Sequence, residues 1–167
     1  MEFKSLNSAF KQINKDIAKV LPQVGEQVKK LVQTEIWELL YQSYTPFQYE
    51  RTNDFVRSVS VKNLKILSNG SIQIEIYYDT SQIIPREVIG SKWNQHMSYS
   101  NENYSGKDMS KFIPLWLERG TEPNNGNFFP RDGIGAMGKV IENEQLRIEN
   151  YLLTELRKKG YDVIFVG

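Results

Sequence analysis

The residues of this chain whose types and spacing suggest chemistry begin with Gly133-Ile-Gly-Ala-Met-Gly138, which spells G-x-G-x-x-G. In dinucleotide-binding folds a strand delivers this turn, and the helix that follows receives the pyrophosphate at its N-terminus. A helix is predicted after the glycines, but Phe129-Pro-Arg-Asp132 makes a poor buried strand and no βαβ unit precedes it. We therefore interpret the motif as a flexible linker or helix entry, and we predict no cofactor.

The sequence contains few residues that could form a metal site or act as a catalytic nucleophile with its base. His96 is the only histidine and there is no cysteine, so zinc of the usual types would need carboxylates for the rest of its ligands. The Gly-x-Ser-x-Gly pattern of a nucleophile elbow is absent from the sequence. A solvated loop histidine is the simpler interpretation, and neither a metal site nor a catalytic residue is predicted.

The carboxylates give a second possible chemistry. Glu118 lies beside Arg119, and Asp108 lies near Glu102, whereas a glycosidase needs two acids that face each other across a cleft. Surface ion pairs explain these neighbours equally well. The alternative left open is a hydrolase-type enzyme that uses the loop-rich face around His96 and Glu118.

Charge and hydropathy narrow the class of partners. The formal net charge of the 167 residues is +1, from 21 basic and 20 acidic side chains. Nucleic-acid-binding domains usually concentrate positive charge on one face, whereas the basic clusters here, Lys29-Lys30 and Arg157-Lys-Lys159, are short. No apolar run approaches the roughly 20 residues of a membrane span, and the N-terminus does not resemble a signal peptide. We expect a soluble protein made inside the cell, with no membrane partner and no specific nucleic acid binding.

The N-terminal third predicts two amphipathic helices. Apolar residues recur at steps of three and four from Phe3 to Val20 and again from Val24 to Leu40. Pro22 and Gly25 interrupt the apolar pattern and predict the break between the helices. Pro46 disfavours helix at the residue before it. The second helix is therefore expected to end near residues 41–44.

A β-hairpin follows in the sequence. Thr52 is a plausible N-cap for a short helical turn that reaches Ser58. The apolar positions then change from odd to even numbers near Lys62-Asn63, which predicts a bulge in the first strand. Ser68-Asn69-Gly70 is a tight-turn signal, and the alternating residues 72–78 predict the second strand.

The remaining segments complete a single α+β domain over residues 1–167. Residues 80–111 show no period and predict an irregular loop insertion, and residues 112–117 suit either a short helix or a strand. A long C-terminal helix is expected to end at Gly160, and the tail 161–166 is expected to return to the sheet as a strand. The predicted architecture is an antiparallel sheet built around the hairpin, packed by N-terminal helices and one long C-terminal helix.

The connector between the second helix and the hairpin is unusually aromatic, because it contains Tyr44, Phe47, Tyr49 and Phe55. Connectors lie on the surface and are normally built from small polar residues. Four aromatic side chains require either a core to pack on or a partner that buries them. Since no catalytic set accompanies them, the sequence favours a protein that assembles over an enzyme.

Two segments together resemble the tail-completion, or head–tail joining, proteins of long-tailed bacteriophages. The first is Arg51-Thr-Asn-Asp-Phe-Val-Arg-Ser58, similar to an Arg-Thr-Gly-x-Leu-x-x-Ser turn into a β-hairpin. Asn53 stands where glycine is usual and Phe55 where leucine is usual, although asparagine tolerates a positive φ. The second is Pro114-Leu-Trp-Leu-Glu-Arg-Gly-Thr121, similar to an aromatic-x-x-Glu-x-Gly-Thr element.

The resemblance implies a structural protein without turnover that forms a ring, commonly sixfold, between the phage head connector and the tail tube. Its partners would be head-connector and tail-tube proteins and further copies of itself. It would be found in the host cytoplasm during assembly and then in the virion, at the head–tail junction in the neck. Aromatic residues outside the predicted helices and strands, with the adjoining arginine, are the predicted interface: Tyr44, Phe47, Tyr49, Arg51, Trp93, Tyr99, Tyr104, Phe128 and Phe129.

Overall fold

The computed structural model describes residues 5–42, 53–68, 70–83, 111, 113–121 and 131–163. These residues form an α+β fold, as the sequence predicts. Its elements are α1 (Leu6–Ile36) with a π-helical turn (Trp37–Tyr41), α2 (Asp54–Arg57), β1 (Val59–Ile66), β2 (Ile72–Tyr78), a 3₁₀ turn (Thr80–Gln82), α3 (Ile113–Arg119), β3 (Gly120–Thr121), β4 (Arg131–Asp132) and α4 (Ala136–Lys158). β1 pairs with β2 and β3 with β4, both antiparallel.

The N-terminal region is one helix of 31 residues, so the prediction of two helices separated at Pro22 is wrong. The helix begins at a capping box in which Ser5 and Ser8 satisfy each other's backbone N–H groups. Pro22 lies inside it on the exposed side. The apolar residues before and after Pro22 share one 3.6-residue period, so an unbroken helix buries both halves of the stripe against the same elements. That packing outweighs the local cost of the proline.

We expect Pro22→Ala to stabilise the protein by as much as about 3 kcal/mol, because proline removes one helical hydrogen bond and its ring crowds the carbonyl of the preceding turn. The free energy of unfolding from urea denaturation measures the change. Gln23→Ala is the matched control, since Gln23 is also exposed and keeps its backbone N–H. If the Pro22→Ala protein were no more stable than that control, the claim that Pro22 destabilises the helix would be wrong.

Gly25 has a packing role and does not break the helix. It is buried where α1 crosses the hairpin, and a Cβ atom there would lie 2.7 Å from Cδ1 of Ile74 and 3.0 Å from Cγ1 of Val61. The missing side chain therefore lets the helix and the sheet approach closely. Glycine in a helix interior costs about 1 kcal/mol relative to alanine, and this contact offsets that cost.

The C-terminal end of α1 widens into the π-helical turn and stops at Gln42, at the predicted place. Trp37 and Tyr41 stack on each other along this turn, with ring centroids 5.2 Å apart. Leu40 points the other way and is buried in the core. The π-helical turn therefore carries an aromatic pair toward the connector, whose residues 43–52 lie outside the described part of the chain.

The β-hairpin has the predicted bulge. Val59 pairs with Tyr78, and the register shifts by one residue between Lys62 and Lys65. The turn closes through the N–H of Leu67, which donates to the Ser71 carbonyl over 2.8 Å. The change of the apolar positions from odd to even numbers therefore predicted the place of the bulge correctly.

The core has two parts on one continuous surface of α1. The larger part joins α1 to the hairpin and the start of α4, and it contains Val32, Ile36, Leu40, Phe55, Val59, Ile83, Ile134, Ala136 and Val140. The smaller part joins α1 to the end of α4 through Val20, Val24 and Leu156. The order of these contacts shows that α1 and α4 pack antiparallel.

Gly160 ends α4 as predicted. It has a φ of 85°, its N–H donates to the Arg157 carbonyl over 2.9 Å, and the Tyr161 N–H donates to the Leu156 carbonyl over 3.3 Å. This pair of bonds is a Schellman motif, which requires the left-handed residue. The predicted tail strand is wrong for residues 161–163, because they complete this cap and pack on α1 instead. The rest of the tail lies outside the described residues.

Asp16 fixes the tail to α1. The side chain is 5% exposed, and its carboxylate accepts hydrogen bonds from Nε2 of Gln12 (2.7 Å) and from the hydroxyl of Tyr161 (2.8 Å). The bond from Gln12 lowers the pKa of Asp16 most, followed by that from Tyr161, while burial opposes them and Lys19 adds a smaller attraction. The folded state is therefore stabilised by the ionised form of the Asp16 carboxyl group.

We expect Asp16 to contribute to acid unfolding. A carboxyl group whose pKa is lower in the folded state stabilises the protein above its ordinary pKa of 3.8, and this contribution disappears as the pH falls through the folded-state value. Asp16→Asn should reduce the fall in the free energy of unfolding on acidification, measured by urea denaturation across the acid range. Tyr161→Phe removes one donor and should move the fall to higher pH. An Asp16→Asn protein with the acid profile of the wild type would contradict this role.

Candidate functional site

The first of the two phage-like segments forms a short turn that launches the hairpin. Asn53 has a φ of 59°, and it is the one non-glycine residue with a positive φ among those described. It thus adopts the conformation for which glycine is usual in the similar segments, as its tolerance of that conformation predicts. Asn53 also takes the N-cap position of α2, where the sequence suggested Thr52, and it makes no side-chain cap bond. Thr52 lies outside the described residues.

The turn is closed from inside by Ser58, whose side chain is fully buried. Its hydroxyl donates to the carbonyl of Phe55 over 2.7 Å, which satisfies a polar group that burial would otherwise penalise. Nε2 of Gln33 on α1 donates to the carbonyl of Val56 over 3.1 Å. The turn is therefore held by the core helix.

Phe55 joins the turn to the hairpin. Its side chain is 4% exposed and stacks on the ring of Tyr78, the last residue of β2, with the centroids 4.8 Å apart and the planes at 23°. Aromatic pairs in this arrangement add about 0.5–1.5 kcal/mol beyond the area that they bury. The phenylalanine that replaces the usual leucine thus gains a specific partner.

Tyr78 in turn joins the hairpin to the second phage-like segment. Its hydroxyl donates a short hydrogen bond to Oε1 of Glu118 on α3. Burial raises the pKa of the Tyr78 hydroxyl, and the hydrogen bond and the negative charge of Glu118 raise it further. The tyrosine therefore stays protonated as a donor, and the two segments meet in one junction, formed by Phe55, Tyr78 and Glu118.

The glycine motif at residues 133–138 contacts the C-terminal end of α3. The N–H groups of Ile134 and Gly135 donate to the carbonyls of Leu117 and Glu118 over 2.8 and 3.1 Å. A Cβ atom on Gly133 would lie 2.2 Å from the Glu118 carbonyl oxygen. These glycines therefore let the backbone cap the end of α3, which is the structural explanation of the G-x-G-x-x-G match.

The helix alternative for residues 112–117 is correct, because α3 covers all of them except residue 112, which is not described. The predicted family element continues beyond it: Gly120–Thr121 pairs with Arg131–Asp132 in a two-residue ladder. Such a short strand before the glycines does not supply the buried strand of a dinucleotide-binding unit.

Within the residues that the structure describes, no group of three His, Asp or Glu side chains is placed to hold a metal ion. In the same part of the chain, no helix combines the length and hydropathy needed to cross a bilayer. Glu118, one half of the hydrolase alternative, is bonded to Tyr78. His96, the other half, lies outside the described residues.

The nine predicted interface residues all fall in ranges 43–52, 84–110 and 122–130, outside the described part of the chain. Sequence analysis missed Tyr78, which makes the junction. Its position continues the apolar face of β2 and so marks it as inward-facing, but a partner 40 residues away leaves no local signal.

Comparison with known proteins gives one family match, which covers most of the chain. The family model described as YomN matches residues 5–159. The chain belongs to the YomN family. This family indicates a phage-associated protein, an assignment broader than the tail-completion resemblance of the two segments. No curated protein and no solved structure matches the chain.

We expect this member of the YomN family to lose about 1.5–3 kcal/mol of stability on Tyr78→Phe, because hydrogen bonds to charged groups contribute about that much. The ring and its stacking on Phe55 remain, so only the bond to Glu118 is removed. Glu118→Gln, which keeps an acceptor oxygen, should cost less. Urea denaturation of both variants and of the double variant gives the coupling energy; additive effects would contradict a direct interaction.

Proposed function

We propose that this protein is a structural component of phage assembly, a tail-completion or head–tail joining protein that forms a ring between the head connector and the tail tube. It acts by contact, without catalysis and without a cofactor. Its partners are head-connector and tail-tube proteins and further copies of itself. It is present in the host cytoplasm during assembly and afterwards in the virion.

The observation that supports this function best is the junction of Phe55, Tyr78 and Glu118. The two segments that resemble tail-completion proteins lie about 60 residues apart in the sequence, yet one tyrosine bonds them together. Motifs matched by chance have no reason to meet in space. Membership of a phage-associated family supports the same proposal.

The junction would act as a rigid base for the predicted contact residues. The aromatic connector enters directly before Asn53, and the segment that contains Phe128 and Phe129 leaves β3 and returns at β4. Both segments are therefore attached to the junction at their ends. Rigid attachment lowers the conformational entropy that binding must offset.

Electron microscopy of particles assembled with and without the protein tests the proposal. We expect heads and tails to accumulate separately when it is absent and to join when purified protein is added. A triple replacement of Tyr44, Phe47 and Tyr49 by serine should leave folding intact and reduce joining, while His96→Ala should join normally. Joined, infectious particles in the absence of the protein would refute the proposal. Loss of joining with His96→Ala alone would favour the hydrolase alternative.

A further inference from the structure

The end of the molecule where α1 begins and α4 ends is held by few buried side chains. In α1, residues 6–21 bury only Asp16 and Val20, and in α4 none of residues 141–155 is buried. Of the twelve buried apolar side chains in the described part of the chain, the smaller part of the core contains three. Segments with so few buried apolar contacts open at a low free energy. We call residues 6–21 and 149–163 the distal unit.

Pro22 marks the boundary of the distal unit on α1. Proline has no N–H, so the helical hydrogen bond that residue 22 would donate to the carbonyl of Ala18 is absent. Three residues later, Gly25 lies against Ile74 of the hairpin, so the helix beyond the boundary is packed on the sheet. A missing helical bond and a change of packing partner therefore fall at nearly the same place.

A matching break lies in the packed face of α4. Val140 belongs to the larger part of the core and Leu156 to the smaller part. At the helical spacing between them α4 has Glu144, which does not continue an apolar stripe. Val28 and Ile148, both half-buried, are the described residues that pack on both parts. The two parts of the core are thus joined by a narrow contact.

A buried polar contact holds the distal unit closed. The hydroxyl of Tyr161 donates to the carboxylate of Asp16 over 2.8 Å and so joins the tail after α4 to α1. Nε2 of Gln12 donates to the same carboxylate over 2.7 Å. Because Asp16 is buried, the loss of a donor leaves its carboxylate without a full set of hydrogen bonds, and that cost falls on the closed state.

We infer that the distal unit opens and recloses as one body while the hairpin, the junction and the larger part of the core stay folded, and that the bond from Tyr161 to Asp16 is the latch of this opening. The unit contains the end of each helix, so its α1 and α4 residues open together. Partial openings of this kind occur at a lower free energy than global unfolding. The opening is a property of the protein alone and does not depend on the proposed function.

Hydrogen exchange of the wild type measures the opening. The backbone amides of residues 16–21 and 152–158 should exchange at one common free energy, lower than that of residues 28–36 and of the hairpin. Added urea should accelerate the distal amides with a smaller slope than global unfolding, because less surface becomes exposed. Exchange rates that fall steadily from Leu6 inward, with α4 fully protected, would mean that one helix frays at its end, and would overturn the inference.

Two matched tyrosine variants give the decisive test. Tyr161→Phe and Tyr78→Phe each remove one hydroxyl that donates to a carboxylate. Tyr161→Phe should accelerate exchange of the distal amides about tenfold or more, the effect of losing a hydrogen bond to a charged group. Tyr78→Phe should accelerate the hairpin amides and leave the distal amides unchanged, since the junction stays folded when the distal unit opens. Equal acceleration of the distal amides by both variants would mean that the molecule opens only as a whole, which overturns the inference.

Pro22→Ala tests the boundary in the opposite direction. Alanine restores an N–H that donates to the Ala18 carbonyl, so the distal amides should exchange more slowly than in the wild type. Gln23→Ala, at the next exposed position, should change their exchange little. Distal amides that exchange as fast in Pro22→Ala as in the wild type would show that Pro22 is not the boundary, and the inference would be wrong.

Discussion

Gly133→Ala is expected to destabilise the protein by about 3 kcal/mol, the upper end of the cost of overpacking a tight site. The added methyl carbon would lie 2.2 Å from the carbonyl oxygen of Glu118 and 2.5 Å from the carbonyl carbon of Arg119. Both are backbone atoms, so no side-chain rotation relieves the overlap. The end of α3 would have to separate from the loop that caps it, with loss of the bonds from Ile134 and Gly135.

Gly138→Ala provides the control within the same motif. Gly138 lies in α4 with no atom within 4 Å of the position of an added Cβ, so alanine should stabilise the helix by about 1 kcal/mol. Urea denaturation should therefore show changes of opposite sign in the free energy of unfolding of the two variants. Equal small shifts would mean that the glycines are a flexible linker, as the sequence alone suggested, and that the close approach to α3 is not real.

The features that the sequence predicted well are those with local causes. The bulge near Lys62 follows from a change of apolar parity within one strand. Gly160 marks the end of α4 because the cap needs a residue with positive φ at one position. The positive φ of Asn53 also has a local cause, although the sequence suggested Thr52 and not Asn53 as the N-cap. In each case the residues that decide the structure lie within a few positions of one another.

The features that the sequence analysis missed depend on contacts between residues far apart in the chain. Pro22 predicts a helix end by its local chemistry, and only the packing of α1 along α4 and the hairpin reverses that outcome. Gly133 has the appearance of a ligand-binding glycine until its distance to α3 is known. The bond between Tyr78 and Glu118 joins residues 40 positions apart. Such contacts are set by tertiary structure, and a single sequence carries no record of them.

The junction also separates two kinds of aromatic residue that composition does not distinguish. The sequence analysis placed Tyr44, Phe47 and Tyr49 in the predicted interface and left Phe55 out of it. Phe55 belongs to the core, because it is buried and stacked on Tyr78. Phe10, which the sequence assigned to an amphipathic helix face, is the exposed one. Stability and assembly should therefore depend on different aromatic residues.

Phe55→Ala is accordingly expected to cost about 3–5 kcal/mol, the usual range for removing a buried phenylalanine. The loss includes the stacking on Tyr78 and leaves a cavity between the turn and the hairpin, where the core meets α1. Phe10→Ala removes the same atoms from an exposed position, so its free energy of unfolding should change by no more than about 0.5 kcal/mol. Denaturation midpoints and slopes from urea titrations of both variants give the comparison.

The two substitutions should also differ in the amount of folded protein that each variant yields. Phe55→Ala should lower the amount of folded protein in proportion to the loss of stability. Phe10→Ala should leave the amount of folded protein unchanged, as circular dichroism and the yield of soluble protein would show. Similar stability losses in both variants would mean that Phe10 also packs within the subunit, whereas a stable Phe55→Ala protein would remove the junction as the base of the predicted contact surface.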